Sequence, residues 1–199
     1  MKNILKDALI LFLITAGAGI LLAVVNEMTK EPIREQQEAA VAAACREVFP
    51  DADHFEQGQD PADASAYAGW QSEYPKDTVD ELYTALDKDG NVLGIVLNMT
   101  NKEGYGGNLR YSMGIRMDGT LNGVSILETS ETPGLGMQAA DVLMPQFAGR
   151  KVESFRYVKG GGASAEDEID AISSATITTN AFVNGVNAGL AFFRAEFGK

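Results

Sequence analysis

Residues 8–25 of this 199-residue chain read Ala-Leu-Ile-Leu-Phe-Leu-Ile-Thr-Ala-Gly-Ala-Gly-Ile-Leu-Leu-Ala-Val-Val and carry no charge. As a helix, that run is near the shortest that crosses a hydrocarbon core of ~30 Å. Asn26 and Met28 extend it a little. It admits three readings: a secretory signal peptide, a buried helix of a soluble fold, or an uncleaved membrane anchor. No small-x-small cleavage site precedes the charged stretch 27–38, and no lipobox cysteine is present, which favours the anchor. Ala16, Gly17, Ala18 and Gly19 put small residues mid-span, where transmembrane helices can approach closely; they are equally ordinary bilayer residues. Lys2 and Lys6 flank one end and Lys30 and Arg34 the other, so charge alone does not orient the span.

The chain beyond the anchor is acidic. The formal net charge is −12, and beyond the first seven residues there are 14 basic and 27 acidic side chains. That balance argues against a nucleic-acid partner, which needs a basic footprint. It also sets the domain away from anionic lipid heads. Hydrophobic residues make up 45% of the chain, enough to build a packed core. Cys45 is the single cysteine, so the chain cannot form an intrachain disulfide or a cysteine-ligated zinc or iron–sulfur site by itself. It reads as a small buried hydrophobe on a helix, and the single His54 as a surface residue. No metal site is expected.

Along the chain, residues 29–48 predict a helix leading away from the membrane, with Pro32 near its start. Residues 50–66 read as an acidic loop. Four antiparallel strands are expected over 82–87, 92–100, 111–117 and 123–129, with Asp-Gly turns closing two hairpins. A helix over 139–147 ends at Gly149, and a short strand covers 155–158. A last helix over 178–197 carries Phe182, Val186, Leu190, Phe193 and Phe197 on one face, a stripe that reads as core rather than ligand contact. The fold class is α+β: one N-terminal transmembrane helix, then a mixed α/β domain whose antiparallel sheet is packed by helices. The divisions are an anchor at 1–28, a helical linker and acidic loop region at 29–80, and a binding domain at 81–199.

Chemistry concentrates in a few loops. Asp170-Ala171-Ile172-Ser173-Ser174-Ala175-Thr176 precedes the last helix. A helix start presents free N–H groups and a positive dipole end to an anion, although many ordinary helices also begin after Ser or Thr. Gly104-Tyr105-Gly106-Gly107 and Glu131-Thr132-Pro133-Gly134-Leu135-Gly136 are candidate backbone-approach loops, as is Gly160-Gly161-Gly162. None has the spacing of a dinucleotide fingerprint or a P-loop.

Taken in order with the anchor and the Asp-Gly hairpins, these motifs resemble the RnfG and NqrC family over essentially the whole chain, and RnfG more closely. The 170–176 stretch is similar to that family's flavinylation motif, in which a threonine carries FMN through a phosphodiester bond; the matching residue is Thr176. One departure stands out: Ser174 occupies the place usual for glycine. Thr178 and Thr179 are nearby hydroxyls, and the motif favours Thr176 over both. The resemblance implies a covalent FMN site built from Asp170, Ser173, Ser174, Ala175, Thr176 and Thr178. The 104–107 and 131–136 loops would enclose the isoalloxazine ring, with Tyr105 or Leu135 at its faces. It implies an electron-carrier subunit, without catalytic residues of its own, in a complex coupling ferredoxin:NAD electron transfer to Na⁺ or H⁺ translocation. Its partners would be the other Rnf subunits, membrane-embedded and iron–sulfur- or flavin-containing, and a flavin transferase for maturation. Its place would be the cytoplasmic membrane of a prokaryote, with the domain on the outer side. Without the resemblance, the residues describe a membrane-tethered extracytoplasmic binding or sensing domain.

Overall fold

The computed structural model describes residues 2–198. The anchor and the expected 29–48 helix are one element, α1 (Lys2–Val48). Pro32 removes one N–H from its ladder, but residues 33–44 are mostly strong helix formers and the helix continues. From Ile4 to Met28 its large apolar side chains are exposed, a surface that water does not tolerate and a bilayer does. The chain is a single-pass membrane protein.

Two compact units divide at residue 40, Met1–Ala40 and Val41–Lys199. Residues 41–80, read from sequence as linker and acidic loop, therefore belong to the body of the second unit. Two elements missed by the sequence reading lie there: strand β1 (His54–Gln57) and helix α2 (Tyr67–Glu73). The sheet has five strands rather than four, an antiparallel meander of β1, β2 (Asp77–Leu86), β3 (Val92–Asn101), β4 (Leu109–Arg116) and β5 (Leu121–Glu128) in sequence order. Alternation sorts its side chains to two faces. Ile95, Leu97 and Met99 of β3, with Tyr111, Met113 and Ile115 of β4, share the main core with helix α5 (Thr176–Phe197). Val96 and Ala85 point the other way and pack on Cys45, Val48 and Phe49. Between these apolar residues the second face is satisfied by polar pairing: Ser112 Oγ donates to Asn98 Oδ1 at 2.5 Å, and Asn98 Nδ2 donates to Glu81 at 2.7 Å.

The stripe of Phe182, Val186, Leu190 and Phe193 is buried against the sheet, as its periodicity predicts. The helix lies close because Gly185 and Gly189 face the sheet. A Cβ at Gly185 would meet Tyr111 Oη, and one at Gly189 would sit 3.1 Å from Met99 Sδ. Trp70 of α2 donates its indole N–H to the Ala188 carbonyl at 2.8 Å, fastening α2 to the same helix. At the start of β2, burial pushes the Asp77 carboxyl up to about 6, moderated by the Asn101 amide that donates to it at 2.8 Å.

The helix expected over 139–147 is broken at Leu143 into α3 (Ala139–Val142) and α4 (Met144–Phe147), and a 3-10 turn (Gly136–Gln138) precedes it. Pro145 cannot donate to a preceding carbonyl, which explains the break. The expected strand at 155–158 is β6 (Arg156–Val158). It pairs in parallel with β7 (Glu168–Asp170), a strand too short and acidic to register as one in the sequence. α5 starts at Thr176, two residues earlier than expected.

Candidate cofactor site

Asp170 ends β7 and turns the chain toward α5. Its Oδ1 accepts the N–H groups of Gly162 and Ala163 at 2.7 and 2.9 Å, which hold its carboxyl below the usual range. Its own N–H donates to Gln146 Oε1 at 2.7 Å. Asp170 thus ties the glycine loop at 160–163 to the strand. A tight turn comes next, with the Ala175 N–H on the Ile172 carbonyl at 3.2 Å. Within it Ser174 takes φ +63°, the only positive φ among the described non-glycine residues. The backbone here is therefore one that glycine adopts more easily, as the departure at this position suggested.

α5 opens without a side-chain cap, because the residue before it is Ala175. The Thr179 N–H reaches the Ala175 carbonyl at 3.0 Å. The N–H groups of Thr176, Ile177 and Thr178 precede that first bond and are left free for an anion. No acidic side chain lies in the first turn to compete.

The three threonines have different surroundings. Thr179 Oγ1 donates to the Ala175 carbonyl at 3.0 Å and accepts the Ile172 N–H at 3.1 Å. Thr178 Oγ1 donates to Glu131 Oε2 at 2.8 Å. Both are buried. Thr176 is half-buried, and its hydroxyl makes no hydrogen bond among the described residues.

Thr176 opens onto a cavity of about 520 Å³ lined by Tyr105, Glu131, Thr132, Leu135, Gly136, Ser174, Ala175, Thr176, Ile177 and Thr178. The structure thus brings together parts of all three sequence motifs. Ser173, Asp170, Gly104, Gly106, Gly107, Pro133 and Gly134 are not on its wall. Pro133 and Gly134, the latter at φ +74°, form a turn closed by the Leu135 N–H on the Thr132 carbonyl at 3.1 Å. Gly104 and Gly106 act from behind the wall. Glu131 Oε1 accepts the Gly106 N–H at 3.1 Å, and a Cβ at Gly104 would lie 3.0 Å from the same oxygen. A Cβ at Gly136 would fall 2.8 Å from Thr178 Oγ1 and 2.8 Å from the Glu131 Cβ. Glu131, only 4% exposed, is the post around which the three segments close. Ile177 was not anticipated; it lies off the apolar stripe of α5 and exposes its side chain at the cavity rim.

Residues 104–191 match the FMN-binding domain family, and residues 1–48 match the RnfG N-terminal region. The G subunit of the Na(+)-translocating ferredoxin:NAD(+) oxidoreductase complex of Acetobacterium woodii is 34% identical over 196 residues, covering 97% of this chain and 93% of that protein. The chain belongs to the RnfG family. The G subunit of the ion-translocating oxidoreductase complex of Escherichia coli K12 is 32% identical over 200 residues, covering 96% of this chain and 91% of that protein. The fold is shared with NqrC of Shewanella oneidensis, at a TM-score of 0.52 and 20% identity, over 75% of this chain and 71% of that one. As a member of the RnfG family, the protein is an electron-carrier subunit of a membrane oxidoreductase of the Rnf/Nqr type, with FMN as cofactor and no catalysis of its own.

The cavity, about 520 Å³ with the exposed side chains of Tyr105, Leu135 and Ile177 and the start of α5 on its wall, has the apolar surface and the anion-accepting helix end that a flavin phosphate calls for.

Proposed function

We propose that Thr176 Oγ1 carries FMN as a phosphodiester, and that the loaded domain relays electrons on the outer side of the cytoplasmic membrane. The observation that carries this reading is the chemistry of the cavity wall. It holds a single charged side chain, the carboxylate of Glu131, and no lysine, arginine or histidine. A free phosphomonoester brings a charge of about −1.5 to −2. Three backbone N–H groups and no cation are a poor match for that charge. Esterification to Thr176 lowers the charge and makes retention independent of ionic attraction. Thr176 is also the threonine of this turn whose hydroxyl is not committed to another group.

In maturation, a separate flavin transferase joins Thr176 to FAD. The hydroxyl oxygen bonds to the flavin-side phosphorus, the pyrophosphate bond breaks, AMP leaves, and the hydroxyl proton is released. FMN then supplies the redox chemistry, while the chain supplies position and electrostatics. Tyr105, Leu135 and Ile177 cover the ring site, and the α5 N–H groups receive the phosphate. The loaded site would exchange electrons with iron–sulfur or flavin groups of neighbouring subunits. The likeness to the Acetobacterium protein supports a complex that couples ferredoxin:NAD electron transfer to Na⁺ or H⁺ movement.

Peptide mass mapping of protein made with its transferase tests the attachment. FMN is expected on Thr176, and Thr176→Ala removes denaturation-resistant fluorescence while the domain stays folded. Fluorescence kept by that variant, or mapped to Thr178 or Thr179, overturns the assignment. Topology is tested separately: residues 8–28 span with Lys2 and Lys6 inside. A cysteine replacing the exposed Lys88 should then react with an impermeant thiol reagent in intact spheroplasts. Labelling only after membrane rupture reverses the orientation.

A further inference from the structure

We propose that Glu131 sets the reduction potential of the bound flavin, holding it low through a fixed negative charge in a cavity wall that has no cation. This rests on the reading that FMN occupies the cavity. Both carboxylate oxygens act as acceptors, Oε1 from the Gly106 N–H at 3.1 Å and Oε2 from Thr178 Oγ1 at 2.8 Å. The group is therefore held from two sides and cannot turn its charge toward water. Gly136 leaves room for it where a Cβ would meet Oε2, and a Cβ at Gly104 would lie 3.0 Å from Oε1.

The consequence for the cofactor is electrostatic. Two electrons taken up with one proton leave the reduced flavin one charge more negative than the oxidised form; with two protons the charge is unchanged. A desolvated carboxylate in the wall penalises the first outcome, and no lysine, arginine or histidine of the lining offsets it. The free N–H groups of α5 lie beside Thr176, where the phosphodiester would use them. Glu131 is thus a positioning residue for the loops and an electrostatic determinant for the ring.

Two variants give opposite signs. Glu131→Gln keeps both partners, since the amide oxygen can accept from Gly106 and the amide nitrogen can donate to Thr178, but it removes the charge. Thr178→Val keeps the charge and removes one of its two donors. The full chain, produced with its transferase and purified in detergent, is titrated spectroelectrochemically with viologen mediators as electron source. In Glu131→Gln the reduced-to-oxidised ratio at a fixed potential should rise about tenfold, ~30 mV for a two-electron couple. In Thr178→Val it should fall. A merely structural role predicts no shift, or shifts of one sign in both variants, and either result overturns the proposal. If Glu131→Gln fails to acquire flavin, the sign in Thr178→Val decides alone: a fall supports the proposal, and no fall overturns it. Absence of FMN from Thr176 in the parent chain would refute the underlying reading instead, and peptide mass reports that outcome independently.

Discussion

The chain carries two short glycine tracts near its site, 104–107 and 160–162, and they do unrelated work. At Gly106 a Cβ would lie 2.6 Å from the Ser130 carbonyl carbon and 2.9 Å from the Glu131 nitrogen. Gly160 and Gly161 have nothing within 4 Å of such an atom, but their φ values are +86° and +71°. Gly104 and Gly106 are glycine for lack of room, Gly160 and Gly161 for the sign of a backbone angle, a cause that Gly107 shares at φ +125°. Room is a property of the assembled domain, so the 104–107 tract is tied to the cavity. Backbone sign is a local property, and the 160–162 loop is held by Asp170 instead.

Substitution separates these two causes. Gly106→Ala should have the largest effect. The methyl would have to displace the backbone of residues 130 and 131, costing ~3 kcal/mol or more, the upper part of the range for overpacking. Thermal unfolding should fall by roughly 10 °C, at about 2–4 °C per kcal/mol for a domain of this size. Covalent flavin should be lost with it, and a Gly106→Ala protein that still flavinylates at the parent rate would break the distinction. Gly161→Ala should cost ~1–2 kcal/mol for the left-handed backbone alone, with flavinylation intact. A collapse of flavin loading there would show that the second tract also shapes the site. Ser174→Gly should have the smallest effect. Relief of the φ of +63° and the added chain entropy of glycine, each ~1 kcal/mol, nearly cancel, so stability should change by less than ~0.5 kcal/mol. Flavin transfer should be retained; its loss would reveal a task for the serine hydroxyl itself.

The same contrast explains how much the sequence disclosed. The anchor, the meander hairpins and the aromatic face of α5 are written in local periodicity and were legible. β1 and β7 were not, because a strand of three or four mostly polar residues exists only through its partner: β1 leans on β2, and β7 on β6. The break at Pro145 was available in the letters but outweighed by the apolar spacing around it. In the site, the motif singled out Thr176, and the structure adds the phase of α5 as a physical reason. Thr178 stands four residues before the buried Phe182, and Thr179 four before the buried Val183, so both turn inward. What no local pattern could disclose is the bridging role of Glu131, which the sequence placed only in a loop, because its partners Gly106 and Thr178 lie 25 and 47 residues away.

Cys45 has a practical consequence. It is 1% exposed, enclosed by Val48, Phe49 and the sheet, and it is the only cysteine in the chain. To a reagent in solution, the native protein is effectively thiol-free. Any cysteine placed on the surface becomes a unique chemical address, for a membrane-sidedness probe, a spin label or a crosslinker to a neighbouring subunit, with no background substitution needed and the inner packing of the domain left as it is.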